Sequence, residues 1–102
     1  AERNEIYRRR RDLVVDGLRT LGFDVLRPRA GLYIWLPIPA DRSSVEWADR
    51  LLERTGVSVA PGSAFGGGGE GFVRISLTAG EGEIREALRR IETFVGTGTA
   101  GR

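Results

Sequence analysis

The 102-residue sequence predicts one α+β domain: two layers, with about four strands in a mainly antiparallel sheet and helices packed on one face, in the order α-β-β-α-β-β-α. Three observations predict it. Segments near 2–21, 43–54 and 81–95 repeat apolar residues at helical spacing. The stretches between them are rich in β-branched and aromatic residues and are bounded by Gly and Pro. The composition, 40% hydrophobic and 29% charged, is that of an ordinary globular protein, and a chain of this length removes roughly 60–65% of its unfolded surface from water, enough for one modest core.

The first helix is expected over Glu2 to Leu21, where Tyr7, Leu13, Val14, Leu18 and Leu21 fall on one stripe and Gly22 supplies the stop. Arg8, Arg9, Arg10 and Arg11 lie inside it, so their charges spread around the helix instead of forming a flat patch, with Asp12 and Asp16 as local partners. FDVLR (23–27) and GLYIWLPI (31–38), separated by a turn from Pro28 to Gly31, read as an antiparallel strand pair. Ser43-Ser44-Val45-Glu46 has the form of a capping box and opens a helix to about Arg54, closed by Gly56. VSVA (57–60) and FVRISL (72–77) read as two further strands on either side of a glycine loop. Thr78-Ala79-Gly80-Glu81 reads as a second capping box ahead of a helix with Ile84, Leu88, Ile91 and Val95 on its apolar stripe. The domain is expected to span 1–95. Residues 96–102 have nothing large to bury and read as a mobile tail.

The glycine loop places six glycines between Gly62 and Gly71. Gly66, Gly68 and Gly71 match the G-x-G-x-x-G spacing of dinucleotide-binding turns, but that mechanism needs the glycines to open a helix, and here they open onto a strand. All sixteen Lys+Arg residues are arginine, and His, Cys and Met are absent. The chain therefore lacks the common neutral-pH base, a thiol nucleophile, a Schiff-base amine and every soft metal ligand, so no metal site is expected. Arginine stays protonated and holds anions without moving protons, an inventory better suited to binding than to catalysis. Absence of cysteine fits a cytoplasmic protein, and no apolar run reaches the roughly 18 residues needed to span a membrane. The net charge of +2 is mild, while a sequence pI near 9.9 keeps an acidic partner under consideration. On the strand 72–77, alternation puts Val73, Ile75 and Leu77 on one side and Phe72, Arg74 and Ser76 on the other, so Arg74 points away from the core.

Tyr7 with Arg10-Arg11-Asp12, PRAGLYIW (28–35), Gly56-Val57 leading to Pro61-Gly62-Ser63 and Phe65-Gly66, and GEGFVRISLT (69–78) together resemble the C-terminal small domain of the fold-type I, class I/II pyridoxal-phosphate aminotransferases, closest to the diaminopimelate-type branch. The resemblance covers residues 3 to 95 in order. It implies that Arg74 clamps the α-carboxylate of an amino-acid or 2-oxo-acid substrate, and that Phe65 and Gly66 are candidate pocket-wall residues, Phe65 having core filling as its alternative. It also implies pyridoxal phosphate bound mainly by a preceding large domain of the same polypeptide, and a homodimeric parent enzyme. The Schiff-base lysine of that family has no counterpart here, so the segment alone is expected to be inactive. Ala1 enters helix almost at once, as expected of a domain cut from a longer chain.

Two other readings compete. A free-standing small-molecule-binding or regulatory domain of similar fold would share these elements. An RNA-binding module would explain the approach of GGEGFVRI (68–75) to the RNA-recognition signature, but Gly68, Glu70 and Ile75 replace its basic residue and two of its aromatics, and a carboxylate at a stacking position repels phosphate, so nucleic acid is not an expected partner.

Overall fold

The computed structural model describes residues 2–95; the tail expected at 96–102 lies outside the described residues. The elements are α1 (Glu2–Thr20), β1 (Tyr33–Pro37), α2 (Ser44–Thr55), β2 (Ala60–Pro61), β3 (Phe72–Ser76) and α3 (Glu81–Val95), with two short 3₁₀ turns, Gly62–Phe65 and Gly67–Gly69, inside the glycine loop. The sheet has three strands in the order β1-β3-β2, both pairings antiparallel. The α+β class holds, while the four strands and their stated order do not.

The expected strand at 23–27 is not one. Phe23 and Val25 are buried and Asp24 and Leu26 exposed, so the alternation is real, but the Phe23 N–H and the Val25 C=O are bonded to α1 and not to a strand. The Phe23 N–H donates to Leu18 O at 3.0 Å and the Gly22 N–H to Arg19 O at 3.0 Å, a Schellman stop with Gly22 at φ 98, and Arg19 Nε donates to Val25 O at 2.9 Å. The segment is thus strapped to the end of the helix, and β1 takes β3 as its partner. The expected strand 57–60 shrinks to Ala60–Pro61. Val57 gives its N–H to Thr55 Oγ1, and Pro61 has none to give, so the ladder beside β3 stays two residues long.

Of the two capping boxes, the first forms in full: Ser43 Oγ accepts from the Glu46 N–H and Glu46 reaches back to the Ser43 N–H. The second, expected at Thr78 to Glu81, does not form, because the helix starts two residues later on a glycine that has no side chain to accept from it. The Ile84 N–H bonds to Gly80 O, so Gly80 is the cap, and Glu83 returns to the Gly80 N–H at 3.4 Å while Thr78 hydrogen-bonds to Ser76 instead. The arginines at 8 to 11 diverge as expected. Arg8 pairs with Glu5, Arg9 with Glu81, Arg10 donates to Leu77 O and Arg11 to Gly31 O. Asp12 and Asp16 do not serve this run; Arg27 binds both.

One core holds the layers together. Val14, Val15 and Leu18 of α1, Trp47 and Leu51 of α2, and Ile84 and Ile91 of α3 bury against Ile34 and Leu36 of β1 and Val73 of β3, with Leu77 just beyond the strand. Trp47 sits edge-on between Phe23 and Phe94, at 6.4 and 5.4 Å between ring centres. The register pairs Ile34 with Ile75 and Leu36 with Val73 on this covered face. The alternate residues, Tyr33, Trp35, Phe72 and Arg74, therefore stand on the opposite face, which none of the three helices covers.

Candidate functional site

The open face of the sheet is built by two pairings, Tyr33 with Ser76 and Trp35 with Arg74. Above them the glycine loop folds back and delivers Phe65. The result is a guanidinium between two rings: Arg74 Cζ lies 3.8 Å from the centre of Tyr33 and 4.0 Å from that of Phe65. Phe65 also meets Trp35 edge-on, at 5.7 Å and 89°. Phe65, with 46% of its surface exposed, stands outside the core. Gly66, exposed beside it, has φ 115 and open space at the position of a Cβ, so backbone conformation and not crowding requires glycine there.

Ring stacking engages the two flat faces of the guanidinium, whereas its N–H donors lie in the plane between them. Arg74 makes no hydrogen bond or ion pair among the described residues, although it is half-buried. Its edge thus remains free to give two parallel N–H···O bonds to a carboxylate. Beside it, Trp35, Phe65, Gly68, Gly69 and Phe72 line an open concavity of about 430 Å³. A larger groove of about 580 Å³ lies between residues 56–59, the β3 end and α3. Its one cation among the described residues, Arg90, already bonds to Glu86 and to Thr55 O.

The loop that carries Phe65 is tightly held. Gly62 and Gly69 cross so closely that a Cβ on Gly62 would lie 1.9 Å from Gly69 O, and one on Gly69 would lie 2.0 Å from Gly62 O. The crossing packs the two ends of the loop closely against each other. Next to it, Glu70 binds the start of α2. Its carboxylate accepts from the Ser44 N–H at 2.8 Å, from Ser44 Oγ at 3.0 Å and from the Gly71 N–H at 3.0 Å, and Ser44 Oγ in turn accepts from the Ser63 N–H at 3.2 Å. The Ser44 N–H above all, with the Ser44 hydroxyl and the Gly71 N–H, holds the Glu70 carboxyl below the usual glutamate range against the opposing effect of burial.

Sequence reasoning singled out Arg74, Phe65 and Gly66, and the fold brings the first two into contact. It missed Tyr33 and Trp35, which alternation along 31–38 assigns to the open face once β1 is known to lie beside β3. It also missed the Glu70–Ser44–Ser63 chain, for which a serine inside a capping box and an acid in a glycine loop give no local signal.

The site is thus a ring-held arginine, without a hydrogen-bond or ion-pair partner among the described residues, on the open sheet face of a small α+β domain. The comparisons with known proteins give the family. The aminotransferase class I and II family matches over residues 1–91. The chain is 47% identical over 92 residues to an LL-diaminopimelate aminotransferase of Desulforudis audaxviator, covering 90% of this chain and 24% of that protein. Among solved structures, the aromatic aminotransferase from Pyrococcus horikoshii superposes with a TM-score of 0.89 at 36% identity, over 92% of this chain and 26% of its own. The aspartate aminotransferase from Thermotoga maritima superposes with a TM-score of 0.83 at 32% identity, over 91% of this chain and 24% of its own. This chain belongs to the class I and II aminotransferase family, and it spans about a quarter of the length of the relatives it matches.

That family generally uses pyridoxal phosphate. The residues present do not fit that group. There is no lysine to form the Schiff base, and the glycine loop runs into β3 instead of opening a helix whose N–H groups would hold a phosphate. The α2 N-terminus already carries the Glu70 carboxylate, and α3 begins with Glu81 and Glu83, so both repel a second anion. No helix among the described residues is long and apolar enough to cross a membrane.

Proposed function

We propose that this chain is the substrate-gripping small domain of a cytoplasmic pyridoxal-phosphate aminotransferase, which transfers an amino group between an amino acid and a 2-oxo acid, and that Arg74 clamps the substrate α-carboxylate. The large domain of the same polypeptide supplies the lysine and the cofactor site, the working enzyme is a homodimer, and the 102-residue chain alone is inactive. The observation that carries the reading is the Arg74 guanidinium, whose Cζ lies 3.8 Å from the Tyr33 ring centre and 4.0 Å from that of Phe65, with no hydrogen-bond or ion-pair partner among the described residues. Tyr33 and Phe65 fix the plane of the fork before substrate arrives, so less ordering entropy is lost when a carboxylate docks. Phe65, with Trp35 and Phe72, forms the wall of the adjoining concavity. The similarity to LL-diaminopimelate aminotransferases makes LL-diaminopimelate the first amino donor to test, with aromatic amino acids and aspartate beside it.

The test is made in the full-length aminotransferase. Arg74→Ala removes a desolvated charge partner, a loss of about 3–5 kcal/mol, so kcat/KM for amino acids falls roughly 10² to 10⁴-fold. Arg74→Lys recovers part of this, because an ammonium keeps the charge and loses the two-bond geometry. Affinity for pyridoxal phosphate stays near wild type. A fall of less than about threefold, under the ~1 kcal/mol of a weak charged hydrogen bond, sinks the assignment.

A further inference from the structure

The open-face arginine depends on a ring, and the ring sits on a loop of six glycines within ten residues, Gly62 to Gly71. Such a stretch has more backbone freedom than any other segment of the chain, so Phe65 stays over Arg74 only if the loop is fixed elsewhere. Two devices fix it. The first is the Gly62–Gly69 crossing at its neck. The second begins at Glu70, outside the clamp. One carboxylate oxygen takes the N–H groups of Ser44 and Gly71, joining the first turn of α2 to the residue before β3. The other takes the hydroxyl of fully buried Ser44, which orients that hydroxyl to accept the N–H of Ser63. Ser63 is two residues before Phe65, in the same 3₁₀ turn.

We propose that Glu70 is a positioning residue for substrate binding: through Ser44 it anchors the Gly62–Phe65 turn and so holds the Phe65 ring against the Arg74 guanidinium. Glu70 touches neither the substrate face nor Arg74; it acts through the loop. This role rests on the carboxylate-clamp reading of Arg74. The alternative for Glu70 is a helix cap for α2 and nothing more, which would affect stability without a preference for any kinetic constant. A charge-assisted bond network anchoring a mobile turn differs from a cap in its consequence, because loosening it lowers the population of the binding-competent turn and weakens apparent affinity by that fraction.

The experiment is a double-mutant cycle in the full-length holoenzyme, reading KM and kcat for the amino donor with the strongest wild-type activity. Glu70→Ala should raise KM on the order of tenfold while kcat changes by less than about threefold. Glu70→Gln, which keeps one acceptor oxygen, should fall between Glu70→Ala and wild type. In a Phe65→Ala background, Glu70→Ala should raise KM by less than about twofold more, since the ring it positions is gone. Ser44→Ala leaves the backbone bonds of Glu70 in place and removes only the bridge to Ser63; it should raise KM in the same direction, and it decides the matter if Glu70→Ala does not yield folded enzyme. An unchanged KM in Glu70→Ala, or in Ser44→Ala where that variant decides, overturns the proposal. So does a KM increase that adds in full to that of Phe65→Ala. Arg74→Ala run alongside separates the two readings. If it leaves kcat/KM unchanged, the clamp falls and this role with it. If it abolishes binding while Glu70→Ala does nothing, the clamp stands and the positioning role alone fails.

Discussion

The two faces of one short sheet teach different lessons. Leu36 and Trp35 are neighbours in β1, yet Leu36 is completely buried and Trp35 keeps 41% of its surface exposed. On the covered face, Ile34, Leu36 and Val73 meet helix side chains in one continuous core, and any apolar residue of similar volume serves. On the open face, Tyr33 and Phe65 lie against one cation, Arg74, and Trp35 meets Phe65 edge-on. Aromatic residues left at a surface are costly unless something uses them, and here they hold Arg74 flat and leave its edge unpaired. The covered face makes the fold, and the open face presents Arg74.

Substitutions in the isolated chain test this division by stability, beginning with one position on each face. Leu36→Ala opens a hole in the core and should lower unfolding free energy by about 2–5 kcal/mol in urea denaturation. Trp35→Ala, one residue away, should lose only the edge-to-face contact with Phe65, about 0.5–1.5 kcal/mol. Equal losses at the two positions would break the distinction between the faces. Gly62→Ala puts a methyl group into backbone oxygens, those of Gly69 and Phe72, which no side-chain rotation can relieve, and should cost about 1–3 kcal/mol. A stability within 0.5 kcal/mol of wild type, a limit on the order of ordinary surface changes, would show that the crossing at the loop neck is not tight. Ser43→Ala removes the side-chain cap of α2 and should cost about 1 kcal/mol, read by the same titration.

The smallest effect is acid-dependent. The folded-state pKa of Glu70 is lowered, so its contribution is fully present above the unfolded glutamate value of about 4.3 and is lost as pH falls through the depressed folded value. The stability gap between wild type and Glu70→Gln should therefore stay constant from neutral pH to about pH 5 and close in more acidic solution. A gap that persists unchanged below pH 3, about a unit under the free carboxyl, would show that the charge of Glu70 is not what Ser44 and Gly71 recognise.

Much of this was legible in the sequence because it depends on local patterns. The three helices, the first capping box, the strand at 72–77 and the outward direction of Arg74 all follow from periodicity and short-range chemistry. What escaped depends on competition for backbone partners. FDVLR alternates like a strand, but its Phe23 N–H and Val25 C=O are bonded to Leu18 and Arg19, partners that no window of residues 23–27 reveals. Thr78 has the right spacing for a cap and instead bonds to Ser76, leaving a glycine to begin α3. At the site, Arg74 was visible as a strand residue. Its two rings were not, because Tyr33 comes from a strand 41 positions earlier in sequence and Phe65 from a loop, and only the β1–β3 register unites them.

The central claim is that the free edge of Arg74 receives a substrate carboxylate. The most direct measurement is a crystal structure of the full-length aminotransferase with a bound amino acid or 2-oxo acid. The account predicts two parallel N–H···O contacts of about 2.7–2.9 Å between the Arg74 guanidinium and the α-carboxylate, with Tyr33 and Phe65 still stacked on its faces. A substrate whose α-carboxylate is held by other groups, with Arg74 beyond about 3.5 Å and turned away, would contradict it.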